Sequence, residues 1–381
     1  MTQYDYLIIG GGIAGASLGY RIAGEHKVAL LEQEDQPGYH TTGRSVAVWT
    51  TAYGPAPMRA LCNASIDFIR NPPEGFAEYE LYHPTGLMFI ATDEQRQDLL
   101  DLLAAVRQLA PEIHEISVDE ALEKVPVLSR DHVKAAFYDP GTLGLDVATM
   151  HQGFLRGIKA SGGDVVCKAE AQTIERRDGL WHVSTPSGDF CAPVIINAAG
   201  AWADVVAEKA GVEKINIVPK RRTVVSVDGL EGLDAKTWPG VMDAHENFYF
   251  KVDGGALVAS PADETPDLPR DVQPEELDIA ITVDHLQHAT NLDIRRVTSS
   301  WAGLRSFVED RLPVVGYAPD AEGFFWFAGQ GGYGIATSPA LGECGAALLK
   351  GEDLPEYVKE FGISKEQIAP GRDMTEAGRF E

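Results

Sequence analysis

The apolar positions change their period several times along the chain, and each change marks an element. Tyr4 to Ile9 is a nearly continuous apolar run and predicts a buried strand. Small residues from Ile13 to about Ala23 predict a helix, and Lys27 to Leu31 predicts a second strand, completing a compact βαβ unit. Met58 to Arg70 carries helical spacing through Met58, Leu61, Cys62, Ser65 and Ile69 and is stopped by Asn71-Pro72-Pro73. Leu87 to Ala91 reads as a strand. Glu94 to Ala110 reads as an amphipathic helix through Leu99, Leu102, Leu103, Val106 and Leu109.

Another helix runs from about Val147 to Ser161, with Asp146 as N-cap and Gly162-Gly163 ending it. Residues 164–196 then read as successive short strands, the last being 190–196 after the turn Pro186-Ser187-Gly188-Asp189. Residues 215–260 are strand-rich, 261–274 form a Pro-rich acidic loop, and Glu275 to Asn291 predicts a helix. Phe324 to Ala328 is a strand, and Ser338-Pro339 reads as an N-cap and first residue of a last helix to about Lys350. Strand-rich stretches therefore interleave with α/β stretches at the beginning, middle and end of the 381 residues.

Composition narrows the classes. Hydrophobic residues make up 44%, enough for a sizeable core and against a mostly disordered chain. The formal charge of −25 argues against phosphate backbones and polybasic membrane anchoring, so neither nucleic acid nor a membrane surface is an expected partner. Cys62, Cys167, Cys191 and Cys344 lack CxxC spacing, which argues against a disulfide scaffold or a zinc site and fits a cytoplasmic protein. No basic segment opens the chain as a secretory signal would. The apolar run Leu7 to Tyr20 falls short of the ~20 residues a membrane span needs. His285 and His288 stand three apart on a predicted helix, spacing that fits an exposed face better than a metal site.

Gly10-x-Gly12-x-x-Gly15 lies between the first strand and the first helix, and Glu32 closes the next strand, 17 residues beyond Gly15. Each part has a mechanical reason. Gly10 makes a tight turn, Gly12 lets a pyrophosphate approach the backbone, and Gly15 lets helix and strand pack closely. The helix N-terminus faces the phosphates and the acid binds ribose hydroxyls. This fingerprint alone does not separate NAD from FAD.

Three further segments carry a family resemblance: Pro37-Gly38-Tyr39-His40-Thr41-Thr42-Gly43-Arg44-Ser45, Asn197-Ala198-Ala199-Gly200-Ala201-Trp202, and Gly329-Gln330-Gly331-Gly332-Tyr333-Gly334-Ile335. They resemble flavin-binding stretches of the D-amino acid oxidase and glycine oxidase superfamily. Pro219-Lys220-Arg221-Arg222, Asp271-Val272-Gln273-Pro274-Glu275 and Trp301-Ala302-Gly303-Leu304-Arg305-Ser306-Phe307 resemble, more narrowly, D-amino acid dehydrogenases of the D-arginine dehydrogenase type. The resemblance implies a mixed α/β chain binding FAD noncovalently. A Rossmann-like FAD domain (1–79, 146–217 and 301–381) would interleave with a substrate domain on an antiparallel sheet (80–145 and 218–300). It implies cofactor contacts from Gly10, Gly12, Ile13, Ala14 and Gly15, from Glu32 and Gln33, and from Thr42, Gly43, Arg44 and Ser45. Ala199, Gly200, Trp202, Gly303, Gly331, Gly332, Tyr333, Gly334 and Ile335 complete that set. Backbone N–H groups of Gly331 to Ile335, before the last helix, would meet the flavin ring's carbonyl edge.

Four side chains suit an amino-acid substrate: Arg222, Arg305, Tyr53 and Tyr249. Arginine is permanently charged and can grip a carboxylate with two hydrogen bonds. Read alone, Arg222 in its Lys-Arg-Arg run also fits a solvated face, and the two tyrosines also fit core or rim positions. Arg305 stands in a largely apolar stretch, where an unpaired charge is costly. The resemblance implies that all four bind the substrate carboxylate or shape the pocket, with Gly332 contributing backbone contact to the amine. Where the arginine-using relatives carry an acid, this chain has Leu87, and where they carry a histidine near the flavin it has Val48, beside Trp49. A cationic side chain would lose several kcal/mol of hydration there with no partner. The expected reaction is therefore oxidative deamination of neutral or hydrophobic D-amino acids, passing electrons to a quinone or another carrier. An amine oxidase of the sarcosine or glycine type, a 2-hydroxy acid dehydrogenase and a non-catalytic flavoprotein stay open as alternatives.

Overall fold

The computed structural model describes residues 2–108 and 110–375, so Leu109 of the predicted amphipathic helix and the last six residues of the 301–381 segment lie outside the described residues. Two large sheets organise the chain. The first has six strands in the order Asp164–Val166, Val28–Leu31, Tyr6–Ile9, Val194–Asn197, Phe324–Ala328, Val314–Tyr317. All neighbours are parallel except the last pair.

Alternation along these strands feeds two cores. Ile8, Leu30, Ile196, Phe325 and Phe327 point to one face, packed under the helices Ile13–Ile22, Ala56–Arg70, Val147–Ala160 and Gly334–Leu349. Leu7, Ile9, Leu31, Ile195, Phe324 and Trp326 point to the other, covered by the helix Ala203–Ala210 and a small sheet. That small sheet pairs Thr173–Arg177, Leu180–Thr185 and Gly188–Ala192 antiparallel, with Thr2–Gln3 on its edge. A strand buried on both faces must be apolar throughout, which explains runs such as Phe324–Ala328.

The second sheet has nine strands. In order they are Thr265–Pro266, Val218–Val227, Ala256–Ser260, Tyr249–Asp253, Gly240–Asp243, Leu87–Ala91, Ala135–Asp139 and His114–Ile116, with Val297–Phe307 paired to Val218–Val227. It is antiparallel except where Gly240–Asp243 runs parallel to Leu87–Ala91. One face buries Met88, Val225, Val241, Phe250 and Ala259 with Leu286 and Ala289 of the helix Glu276–Ala289. By the two-residue period, the opposite face carries Leu87, Met242, Tyr249, Arg222 and Arg305.

Two expectations need correction. The stretch 190–196 is not one strand. Gly188–Ala192 belongs to the small sheet and Val194–Asn197 to the six-stranded one, because Pro193 has no N–H to continue a ladder. The last helix begins at Gly334, with Pro339 inside it. The carbonyl that Pro339 leaves without its helical partner is that of Ile335, and Ser338 Oγ donates to it at 2.9 Å. The expected division at residue 300 falls within Val297–Phe307, whose pairing with Val218–Val227 continues to Phe307. Asp146 does cap its helix, accepting from Thr149 N at 2.8 Å. No helix among the described residues is long and apolar enough to cross a membrane.

Candidate active site

A cavity of about 580 Å³ opens at the carboxyl ends of the parallel strands and runs to the cavity-side face of the nine-stranded sheet. Its first end is the glycine turn. Gly10 has φ +111°, and a Cβ there would lie 2.4 Å from the Ala198 carbonyl oxygen. A Cβ on Gly15 would lie 2.0 Å from Gly10 O, so this glycine serves helix–strand packing and does not line the cavity. Gly12, Ile13 and Ala14 do line it. Thr42 Oγ1 accepts from Ile13 N at 3.0 Å, tying the loop after the second strand to the helix N-terminus.

Glu32 is 7% exposed and accepts from Gly11 N at 3.0 Å and Glu34 N at 2.9 Å. Burial raises its carboxyl above the ordinary glutamate value, and the two amide bonds pull it back only in part. His151 lies behind this turn, its Nε2 2.8 Å from the Gly11 carbonyl, which can only accept, so the ring donates there; burial lowers the imidazole below its ordinary value. Nothing in the sequence pointed to His151, whose partner comes from a turn 140 residues away.

The middle of the cavity is walled by Gln33, Ser45, Ala199, Gly200 and Trp202, with the His40 ring tilted against Trp202, centroids 4.6 Å apart. Arg44 also lines it, but its guanidinium is engaged by the 261–274 loop and the strand Val297–Phe307. Nη1 donates to Val272 O (3.1 Å) and Ala302 O (3.0 Å), and Nη2 pairs with Asp271 (2.5 Å). Gly43 is structural instead, since a Cβ there would meet Gly38 O at 2.6 Å. At the far end stand Gly303, Gly331, Gly332, Gly334 and Ile335. Gly331 has φ +54° and a Cβ there would lie 2.4 Å from Phe307. Gln330 Nε2 is buried in this wall without a hydrogen-bond partner. An open glycine cradle, an acid at the second strand end and an orphaned donor at the other end together fit an extended dinucleotide with a polar ring system.

A second cavity, about 90 Å³, adjoins the first and shares Arg222, Tyr249, Arg305 and Gly332 with it. Tyr53 and Tyr333 line the second cavity, their rings 5.3 Å apart. Arg305 Nη1 approaches Tyr53 Oη at 3.5 Å. Burial opposes the charge of Arg305, but Tyr53, Tyr249 and Tyr333 outweigh it and hold the guanidinium above its ordinary value. Burial would raise the Tyr249 phenol. The Arg305 and Arg222 guanidiniums, with hydrogen bonds to Ser260 and Arg222, outweigh that and bring it below the ordinary tyrosine value.

Arg222 is 5% exposed, not on a solvated face. Its Nε donates to Asp263 O at 2.9 Å, and Nη2 is buried without a hydrogen bond, 3.5 Å from Glu264. Glu264 also takes a bidentate pair from Arg311 and an ion pair from Lys220. The sheet supplies Arg222, Tyr249 and Arg305, the segment before the helix Ala56–Arg70 supplies Tyr53, and all four line the second cavity.

Of the expected side-chain pocket, Val48 and Leu87 line the second cavity. Trp49 does not. It points to the other side of its short strand, into the helical core, with Nε1 donating to Cys62 O at 2.7 Å. The sequence reading missed Thr50 and Lys251, which also line this cavity. Thr50 donates to buried Asp139 at 2.9 Å. Lys251 shares the two-residue period of Tyr249, the one available signal. His288 is exposed and His285 packs against Phe248, and no group of three His, Cys, Asp or Glu among the described residues could hold a metal ion.

Comparison with known proteins agrees with this geometry. The glycine oxidase of Geobacillus kaustophilus (strain HTA426) is 26% identical over 95% of this chain and 97% of its own length. The human mitochondrial sarcosine dehydrogenase is 26% identical over 90% of this chain, which spans only 39% of that longer protein. Among solved structures, the Geobacillus kaustophilus glycine oxidase superposes with TM-score 0.81 at 22% identity, covering 92% of this chain and 96% of that one. Iminodiacetate oxidase from Chelativorans sp. BNC1 gives TM-score 0.81 at 22% identity, covering 96% and 98%. Residues 5–348 match the FAD dependent oxidoreductase (DAO) family, and the chain belongs to it.

Proposed function

We propose that this FAD-dependent oxidoreductase is a D-amino acid dehydrogenase that converts neutral or hydrophobic D-amino acids to 2-oxo acids and ammonia. The observation that carries the reading is the convergence of Arg222 and Arg305 where the two cavities meet. A substrate carboxylate at that junction sits between two cations. Tyr53 and Tyr249 orient it, and the Gly332 backbone borders the position of the amine.

The chain's own residues bind, orient and exclude water. The bound amine gives up a proton, and a hydride leaves Cα. FAD, when bound noncovalently in the larger cavity, supplies the acceptor for that hydride. The imino acid departs and is hydrolysed in water. Electrons then leave to a quinone or another carrier. The four free thiols support a reducing compartment such as the cytoplasm.

The relatives named for glycine, sarcosine and iminodiacetate support an amine as the group oxidised. The second cavity favours a substrate with a side chain, because glycine would leave the space between Val48 and Leu87 empty. Its Leu87 and Val48 walls offer no partner to a cationic side chain, and Lys251 adds a like charge. Anaerobic mixing of the yellow protein with D- and L-amino acids, sarcosine and 2-hydroxy acids tests the reading. Bleaching by neutral D-amino acids supports it; bleaching by sarcosine, a 2-hydroxy acid or D-Arg in preference overturns it.

A further inference from the structure

The second cavity is not apolar throughout. The strand Tyr249–Asp253 sends Phe250 into the core beneath the sheet, so Tyr249, Lys251 and Asp253 leave on the cavity side. Tyr249 faces Met242 on the neighbouring strand, which sets Gly240 beside Lys251. Gly240 has no side chain, and a Cβ there would already lie 3.2 Å from Leu87 Cδ1 and 3.8 Å from Lys251 Cβ. The glycine therefore keeps open a slot between Leu87 and Lys251, at the end of the cavity away from the arginine pair.

Lys251 lines that end and is only 7% exposed. Among the described residues its one ion-pair partner is Asp253, 2.9 Å away and itself half-exposed. An ammonium carries three donors, and this pair uses one. A buried lysine with donors to spare, lining a slot held open by glycine, suits a ligand that ends in an oxygen acceptor.

We propose that Lys251 is a specificity-determining residue, donating to a carboxamide or carboxylate oxygen at the far end of the substrate side chain. The inference rests on the α-carboxylate clamp of Arg222 and Arg305. It extends the proposed class of neutral and hydrophobic side chains to acidic ones and ranks them: among side chains of equal length, those ending in an oxygen acceptor are preferred to apolar ones.

D-Gln, D-Glu and D-Met have side chains of nearly equal length and make the comparison on the FAD-loaded protein. The expected result is a kcat/KM for D-Gln or D-Glu about tenfold or more above that for D-Met, the worth of one hydrogen bond to a charged group. Lys251→Met should erase that ratio and Lys251→Arg should restore part of it. Asp253→Asn, at a half-exposed position that tolerates change, should raise the ratio for D-Glu by freeing the ammonium from its counter-charge. D-Met equal to or above both acceptor-bearing substrates in the wild type overturns the proposal. So do ratios that neither Lys251→Met nor Asp253→Asn moves, the result a purely structural ion pair would give. Failure of all three to bleach the flavin, with sarcosine or a 2-hydroxy acid bleaching it, overturns the D-amino acid reading and this inference with it, while leaving the carboxylate clamp in place.

Discussion

Arg222 and Arg305 are diagonal neighbours on one face of a single strand pair, since Arg305 stands opposite Lys220 and Arg222 stands opposite Gly303. Residues related in this way are within mutual reach of long side chains. Gly303 and Arg222 both line the larger cavity, and a Cβ on Gly303 would meet Arg44 Cβ and Thr41 Cα, each at 3.7 Å. A two-arginine site of this kind is set by register, and a slip of one residue would send both guanidiniums to the opposite face.

On the proposed clamp, Arg222→Ala or Arg305→Ala should lower kcat/KM by about two to three orders of magnitude, chiefly through KM, because each would remove charge-assisted hydrogen bonds to a desolvated carboxylate. Arg305→Lys should recover only part of this, since an ammonium cannot reproduce the bidentate fork. Steady-state kinetics with FAD content measured in parallel checks both. A variant with full FAD and unchanged kcat/KM would remove that arginine from the clamp.

The lowered phenol of Tyr249 predicts an alkaline limit to substrate binding. As pH rises through that value the phenol becomes an anion beside the bound carboxylate, so kcat/KM should fall at high pH. Tyr249→Phe should lose this limb and keep a flatter alkaline profile. The pH dependence of kcat/KM for both proteins decides it, and an identical limb in the variant assigns the titration elsewhere.

Asp139 is 2% exposed and accepts from Thr50 Oγ1 (2.9 Å), Thr142 Oγ1 (2.7 Å) and Gly141 N (2.8 Å). It ties the segment carrying Tyr53 to the nine-stranded sheet. Asp139→Ala leaves those donors unpaired and should cost about 2–4 kcal/mol of stability. Thr50→Val is milder. It should raise KM more than it lowers the melting temperature, because it loosens Tyr53 without opening the sheet. Calorimetry beside kinetics separates the two.

Much of the candidate cofactor site was legible because the chemistry it suits is local. A tight turn, a close backbone approach and a strand-terminal acid each require a residue type at a fixed offset, and Gly10, Gly12 and Glu32 stand there. The capping of Val147–Ala160 by Asp146 was legible for the same reason. Lys251, His151 and Asp139 were not, because their meaning comes from residues far away in sequence. Pro339 misled by a different route. Ser-Pro is a sound helix start, but Ser338 donates to the carbonyl that proline leaves free, and the helix runs through. Trp49 misled because adjacent residues of a strand face opposite ways, so Val48 at the cavity puts its neighbour in the core.

Arg221 and Arg222 make the sharpest contrast between position and role. They are adjacent, equally charged and almost equally buried, at 4% and 5% exposed. Being on opposite faces, they meet different partners. Arg221 is enclosed by carboxylates, with Nε 3.0 Å from Asp278 and Nη1 2.7 Å from Glu275, beneath the sheet and away from both cavities. Its removal leaves Asp278 buried without its cation, so Arg221→Ala should cost about 3–5 kcal/mol of stability. The same change should leave the ranking of substrates by kcat/KM intact. Arg222→Ala should do the reverse, since Lys220 and Arg311 continue to neutralise Glu264 while the substrate loses its donor. Urea unfolding and substrate kinetics on the pair test this together. Equal losses of stability with equal losses of kcat/KM would mean that the two faces of this strand do not divide the work as their contacts indicate.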